Sequence, residues 1–174
     1  FQLSDSLRIV ALNREPPKTF FYRTWNMDNR SELYDPTFAL NRRADPAIAE
    51  AFLRLPESGR DRSRLQDLLR QISPNPIASA RDFGPLTIAW LEGMHPYALS
   101  SSVPDGEGDA LIRWMDSEAS GHCEFFAGSF VMLARAAGFP ARIVTGFRGG
   151  SWNDFSGSFM VRNSSAHAWA EIFD

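Results

Sequence analysis

One cysteine and three histidines are available to this chain for nucleophilic or metal chemistry. Cys123 follows Gly121-His122 at the point where an apolar, helix-periodic run begins. A helix N-terminus carries about half a positive charge and several unpaired N–H groups. Both favour thiolate over thiol, and the same N–H groups suit the oxyanion of an acyl intermediate. The other reading of Cys123 is a small buried apolar residue, a common fate of a free thiol. His167 stands in a strand-like stretch in which a period of two groups His167, Trp169, Glu171 and Phe173 on one face. Ala168, Ala170 and Ile172 form the other face, small and apolar enough to pack against a helix. A strand beside the Cys123 helix would present the imidazole to the thiol as a thiolate–imidazolium pair. The bland alternative is a structural histidine hydrogen-bonded within a sheet.

Other residues compete for these roles. His122 adjoins Cys123, but helix neighbours point about 100° apart, which argues against it as the base. Cys123, His122 and His167 could in principle give a zinc ion three ligands and leave one position open. No metal-ligand spacing supports that set, so neither a metal nor a cofactor is expected. Trp90, Tyr97, Trp114 and Trp152 are candidates for a substrate groove or an oxyanion donor, although such aromatics more often sit in a core or at a rim. Gly149-Gly150 lacks the Lys and following helix of a phosphate loop. The arginines Arg54, Arg60, Arg62, Arg64 and Arg70 are interrupted by Glu57, Asp61 and Asp67, as on a solvated helix face.

The elements that must position Cys123 and His167 follow from periodicity and punctuation. Leu7–Leu12 and Phe20–Met27 read as short strands separated by Arg14-Glu15-Pro16-Pro17, with Asp28-Asn29-Arg30 after the second. Asp45 is placed to cap a short helix with Pro46 at its first position, running through Ile48, Phe52 and Leu53. Asp61 or Ser63 opens a helix carrying Leu65, Leu68, Leu69 and Ile72, stopped by Pro74 and Pro76. Ile77–Met94 reads as one helix broken at Phe83-Gly84-Pro85, or as two short ones, and His95–Leu99 as a short strand. Ser100–Gly108 is an exposed loop, and Asp109 caps a helix through Leu111, Ile112 and Met115 that ends at Ser120-Gly121. From His122 or Cys123, a helix places Phe126, Phe130, Leu133, Ala134 and Ala137 on one stripe, with Gly138 and Pro140 as its stop. Ala141–Phe147, Ser158–Arg162 and Ala166–Phe173 then follow as strands with short links, which predicts an antiparallel sheet.

Composition narrows the function classes. With 18 Lys+Arg against 21 Asp+Glu the formal net charge is −3, which argues against non-specific nucleic-acid binding. No apolar run reaches the roughly 18–20 residues needed to span a bilayer. A single cysteine excludes an internal disulfide framework and a cysteine-rich structural zinc site. Residues 1–48 form a β-leaning lead-in and 49–174 the core. The start at Phe1 and the stop just after an apolar run suggest a piece of a longer protein, cut within a fold at its C-terminal side.

The helix-borne cysteine followed by a strand-borne histidine is the arrangement of papain-like acyl transfer, in which a third residue orients the base. Three segments add specificity. Gly121-His122-Cys123-Glu124-Phe125-Phe126-Ala127 resembles the nucleophile segment of the transglutaminase-like superfamily. The run from Leu133 through Ala136-Ala137-Gly138-Phe139-Pro140-Ala141-Arg142 to Phe147 resembles its following helix and strand, and Ser165–Glu171 its histidine strand. Leu53-Arg54-Leu55-Pro56 and His95–Leu99 are similar to the lead-in of bacterial membrane-anchored transglutaminase-like proteins of the TgpA type. The resemblance covers about residues 49–174. It implies an α+β fold of papain-like, transglutaminase type, with the nucleophile helix packed on an antiparallel sheet. It implies acyl transfer from a protein or peptide amide through a thioester on Cys123, with His167 as base and an amine or water as acceptor. The alternatives are a non-catalytic binding module of the same fold, or a cysteine peptidase or amidase. The resemblance further implies an extracytoplasmic domain of a membrane-anchored parent. In this family the third residue, usually Asp, follows the histidine strand and is expected beyond Asp174. Glu171 shares the His167 face but lies about 13 Å along the strand, Asp174 is roughly 23 Å away on the other face, and Asp154 falls in a loop.

Overall fold

The computed structural model describes residues Gln2–Ser4, Ile9–Ala11 and 50–173, in two compact units, Phe1–Ala49 and Glu50–Asp174. In the first unit, β1 (Gln2–Ser4) pairs antiparallel with β2 (Ile9–Ala11), with Leu3 opposite Val10. The strand expected over Leu7–Leu12 is thus shorter, and its partner is a segment without a sequence signal. The expected strand Phe20–Met27, the breaks near it and the Asp45 cap lie outside the described residues.

The second unit opens with α1 (Gly59–Ile72), whose cap is Ser58 rather than Asp61 or Ser63. The Ser58 hydroxyl accepts the Asp61 N–H at 3.3 Å. Asp61 is instead buried, and its Oδ2 accepts the Asp109 N–H. Leu65 and Leu68 face the core, and Ser73 ends the helix in an extended conformation ahead of Pro74. The next helix, α2 (Ala80–Met94), is continuous through Gly84-Pro85. Gly84 has no Cβ to clash with the proline ring, and the Pro85 face is exposed. Phe83, Thr87 and Leu91 bury the opposite face and hold the helix together across the missing N–H. His95–Leu99 makes an isolated parallel bridge between Tyr97 and Gly121, not a strand. Asp109 caps α3 (Ala110–Met115), its carboxylate accepting from the N–H groups of Leu111 and Ile112. This helix stops at Met115, before the expected Ser120-Gly121.

The longest apolar stripe belongs to α4 (Cys123–Ala136). Phe130, Leu133 and Ala134 are buried, and Gly138 turns the chain with a φ of +90° before Pro140. β3 (Ala141–Phe147) and β6 (Ala166–Ile172) pair antiparallel in the register Gly146 opposite His167 and Val144 opposite Trp169. Between them, β4 (Ser151–Asn153) and β5 (Ser158–Met160) form a separate hairpin with Trp152 opposite Phe159. The segment expected as a third sheet strand therefore leaves the sheet. The residues joining the hairpin to β6 wind into a 3-10 turn, Asn163–Ser165. α4 packs against β6, with Ala168 buried and Ala170 and Ile172 resting on the core. The whole is an α+β fold of helices on an antiparallel sheet, as the sequence implies. Among the described residues no helix is long and apolar enough to cross a membrane.

Candidate active site

The site begins with what fixes the start of α4. Gly121 sits directly over the six-membered ring of Trp114: a Cβ built there would lie 2.6 Å from Trp114 Cζ2 and 2.9 Å from Phe125 Cβ. Only glycine fits such an approach. The Gly121 N–H donates to Pro96 O at 3.0 Å, and the Ala98 N–H donates to Gly121 O at 2.9 Å. These two bonds lash Tyr97 beside the segment that leads into Cys123. His122 is then extended and provides no side-chain cap; its backbone oxygen accepts the Phe125 N–H at 3.0 Å, and its side chain leaves the N–H groups of Cys123 and Glu124 unclaimed. Cys123 is the first residue of that helix and is partly buried.

The base of this platform is a buried aromatic stack. Trp114 is fully buried, and its indole N–H donates to Ser120 O at 3.1 Å. His95 stacks on it with ring centroids 3.8 Å apart and donates from Nδ1 to Ala119 O at 3.0 Å. That bond leaves Nε2 as the unprotonated nitrogen of the neutral ring, buried and without a hydrogen-bond partner among the described residues. Burial holds the imidazole below its ordinary pKa, opposed only by the Ala119 bond. His95 is the site residue that sequence reasoning missed. Its signal was available: a histidine four residues past Leu91 on the buried stripe Thr87, Leu91, His95 of α2 and its C-cap.

β6 supplies His167, half-buried and opposite Gly146. Cys123 and His167 line two cavities in common. One, of about 740 Å³, is an apolar cleft between α2, α4 and β6, with Leu91, Phe126 and Phe130 in its wall and His95 at its edge. The other, of about 420 Å³, is the more polar of the two and takes in His122, Arg148, Ser164 and Ser165 beside Leu99 and Ala166. Tyr97 lines both. Of the four aromatics singled out from the sequence, Tyr97 alone borders these cavities. Trp114 spends its N–H within the core, Trp90 meets the edge of His95, and Trp152 stands exposed in the hairpin.

Two of the three carboxylates weighed as a partner for His167 are placed elsewhere. Glu171 Oε2 accepts from Arg142 Nε at 2.7 Å and lies 2.6 Å from its Nη2, an ion pair across β3 and β6. Asp154 lies at the turn of the β4–β5 hairpin, and Asp174 is outside the described residues. Among the described residues no group of three or more His, Cys, Asp or Glu side chains is placed to hold a metal ion. The arginines of the α1 region end in local contacts: Arg64 with Asp116 at 2.6 Å, Arg60 with Glu107, Arg70 with Asp67, and Arg62 with Pro56 O.

Known proteins resemble this chain in sequence and fold. Residues 87–174 match the transglutaminase-like superfamily, a span that includes Tyr97, Cys123 and His167. A protein-glutamine gamma-glutamyltransferase of Pseudomonas aeruginosa is 35% identical over 132 residues, covering 74% of this chain and 19% of that protein. The uncharacterized protein YebA of Bacillus subtilis is 32% identical over 76 residues, 41% of this chain and 10% of that protein. The crystal structure of the periplasmic domain of TgpA from Pseudomonas aeruginosa superposes with a TM-score of 0.54 at 31% identity, covering 75% of this chain and 44% of that one. The same domain bound to ethylmercury gives 0.55 at 31% identity, covering 75% and 45%. The chain spans about a fifth or less of the length of the curated relatives it matches. By sequence match and by fold, this chain belongs to the transglutaminase-like superfamily.

Proposed function

We propose that the unit spanning residues 49–174 catalyses acyl transfer from a glutamine side-chain amide of a protein or peptide. In this reading Cys123 is the nucleophile and His167 the base, and the unit works on the outer side of the cytoplasmic membrane as part of a membrane-anchored parent. The observation that carries the reading is the shared lining of both cavities by Cys123, at the first turn of α4, and His167, on β6. Family membership and a relative named as a protein-glutamine gamma-glutamyltransferase support it.

Cys123 Sγ attacks the amide carbon, and charge collects on the carbonyl oxygen beside the first N–H groups of α4. The C–N bond breaks, and ammonia leaves with the proton that His167 took from the thiol. An amine then attacks the thioester, passing its proton to His167, and the new amide departs as the thiolate re-forms. With water as acceptor the same steps give deamidation. The test is incorporation of a fluorescent primary amine into a glutamine peptide, with ammonia release measured alongside. Cys123→Ala is expected to abolish both while leaving the fold intact, and His167→Ala to slow both by at least about a hundredfold. Amine incorporation retained by Cys123→Ala would overturn the assignment.

A further inference from the structure

The two cavities that meet at Cys123 and His167 differ in charge. The apolar cleft is walled by hydrocarbon and holds one carboxylate, Glu92. The second cavity is lined by Arg148, His122, His167, Ser164 and Ser165, with no carboxylate-bearing residue in its described lining. Arg148 is the one permanently charged side chain in either lining that carries a positive sign. It makes no ion pair or side-chain hydrogen bond to another described residue, unlike Arg60, Arg64, Arg70 and Arg142. Its backbone is nonetheless fixed: the Arg148 N–H donates to Ser165 O at 2.8 Å, clamping the end of β3 to the 3-10 turn that leads into His167. A held backbone with an uncommitted guanidinium beside a nucleophile, on a chain of net charge −3, is a local reversal of sign.

The geometry points to a carboxylate subsite. Arg148, with the Ser164 and Ser165 hydroxyls beside it, binds an acidic group next to the reactive amide of the acyl donor. The assignment to the donor follows from charge: acceptor amines are cations near neutral pH, and Arg148 repels them from this cavity. Arginine suits the task because its planar fork meets both oxygens of a carboxylate at once. The carboxylate can come from an Asp or Glu flanking the glutamine, or from the free C-terminus of a peptide ending there. The donor assignment rests on the acyl-transfer reading above, whereas the subsite itself is testable without it.

Two experiments separate these. In the first, Cys123 is alkylated by iodoacetate, which carries a carboxylate, and by iodoacetamide, its neutral analogue. The ratio of the two rates is expected to fall about tenfold in Arg148→Met, to return in part in Arg148→Lys, and to shrink with added salt in the parent chain. A ratio equal in the parent and Arg148→Met overturns the subsite. In the second, donor peptides are compared as ratios of kcat/KM for Asp against Asn beside the glutamine, and for a free against an amidated C-terminus. A preference for the charged member of either pair, lost in Arg148→Met, supports the donor assignment and names the source of the carboxylate. A preference that persists in Arg148→Met overturns it. If the alkylation ratio responds to Arg148 while no peptide is turned over, the subsite stands and the acyl-transfer reading fails.

Discussion

Replacing Gly121 with alanine tests the platform under Cys123 with one added carbon. The new Cβ would lie 2.6 Å from Trp114 Cζ2, where ordinary carbon contacts begin near 3.5 Å. About 1 Å must therefore be opened, and neither side yields easily. Trp114 is fully buried, stacked on His95 at 3.8 Å, and flanked by the rings of Phe125 and Phe126 at 5.1 and 5.5 Å. Overpacking of this kind costs about 1–3 kcal/mol. If the backbone gives way instead, the bonds from Gly121 to Pro96 and from Ala98 to Gly121 are at stake, at about 0.5–1.5 kcal/mol each. Either route gives a loss of about 1–3 kcal/mol, read from urea unfolding followed by tryptophan fluorescence. Because Gly121 stands two residues before Cys123, alkylation of the thiol should slow as well. Trp114→Phe removes part of the obstructing ring, so the double variant should be less destabilised than the sum of the singles, by at least about 1 kcal/mol. A Gly121→Ala protein within about 0.5 kcal/mol of the parent, additive with Trp114→Phe, would refute the steric argument.

Two further outcomes follow from charges placed by the fold. Glu171→Gln should destabilise by about 1.5–3 kcal/mol, because the Arg142–Glu171 side chains are only 12% and 23% exposed, whereas Arg60→Ala should change stability by less than about 0.5 kcal/mol, its partner Glu107 being 91% exposed; chemical denaturation of both variants, at low and high salt, checks the contrast. His95 is held neutral by burial, so the unfolded chain takes up its proton first as pH falls. Stability is therefore complete above the ordinary histidine value of about 6.5 and declines below it, by at most about 1.4 kcal/mol per pH unit, until the folded protein also protonates. Denaturation midpoints of the parent and His95→Gln between pH 8 and pH 5 should converge as pH falls, and parallel curves would show that His95 does not carry the effect.

The Cys123 helix and its two flanking strands were legible because several local signals agreed. The stripe from Phe126 to Ala137, the Gly138-Pro140 stop and the alternation through Ala141–Phe147 all give the observed elements, and Asp109 caps as its position predicts. Local rules failed where packing across the chain outweighed them. Gly84-Pro85 reads as a break, yet Phe83, Thr87 and Leu91 bury one continuous face around it. The strand partner of Phe159 is Trp152, inside a segment whose Gly, Ser and Asn content reads as loop, so the hairpin was invisible until the pairing was seen. In the candidate site, residue type and order singled out Cys123 and His167 as candidates. Tyr97, singled out as a groove aromatic, lines both cavities; Arg148 was hidden because it reaches the second one through a chain reversal that leaves no periodic trace, and His95, which lines the first, was read as the start of a strand although it continues the buried stripe of α2.

The β4–β5 hairpin has an evolutionary consequence. Its ladder closes on itself, so the register of β3 with β6, which sets Gly146 opposite His167, does not depend on its length. Doubling such an excursion adds only about 0.6 kcal/mol of closure entropy. The tip already projects a wholly exposed Phe155, and β4 beside it a half-exposed Trp152. Insertions and deletions can therefore accumulate between Gly150 and Arg162 while the strand bearing His167 stays where it is, which makes this segment the natural place for descendants of one scaffold to diverge.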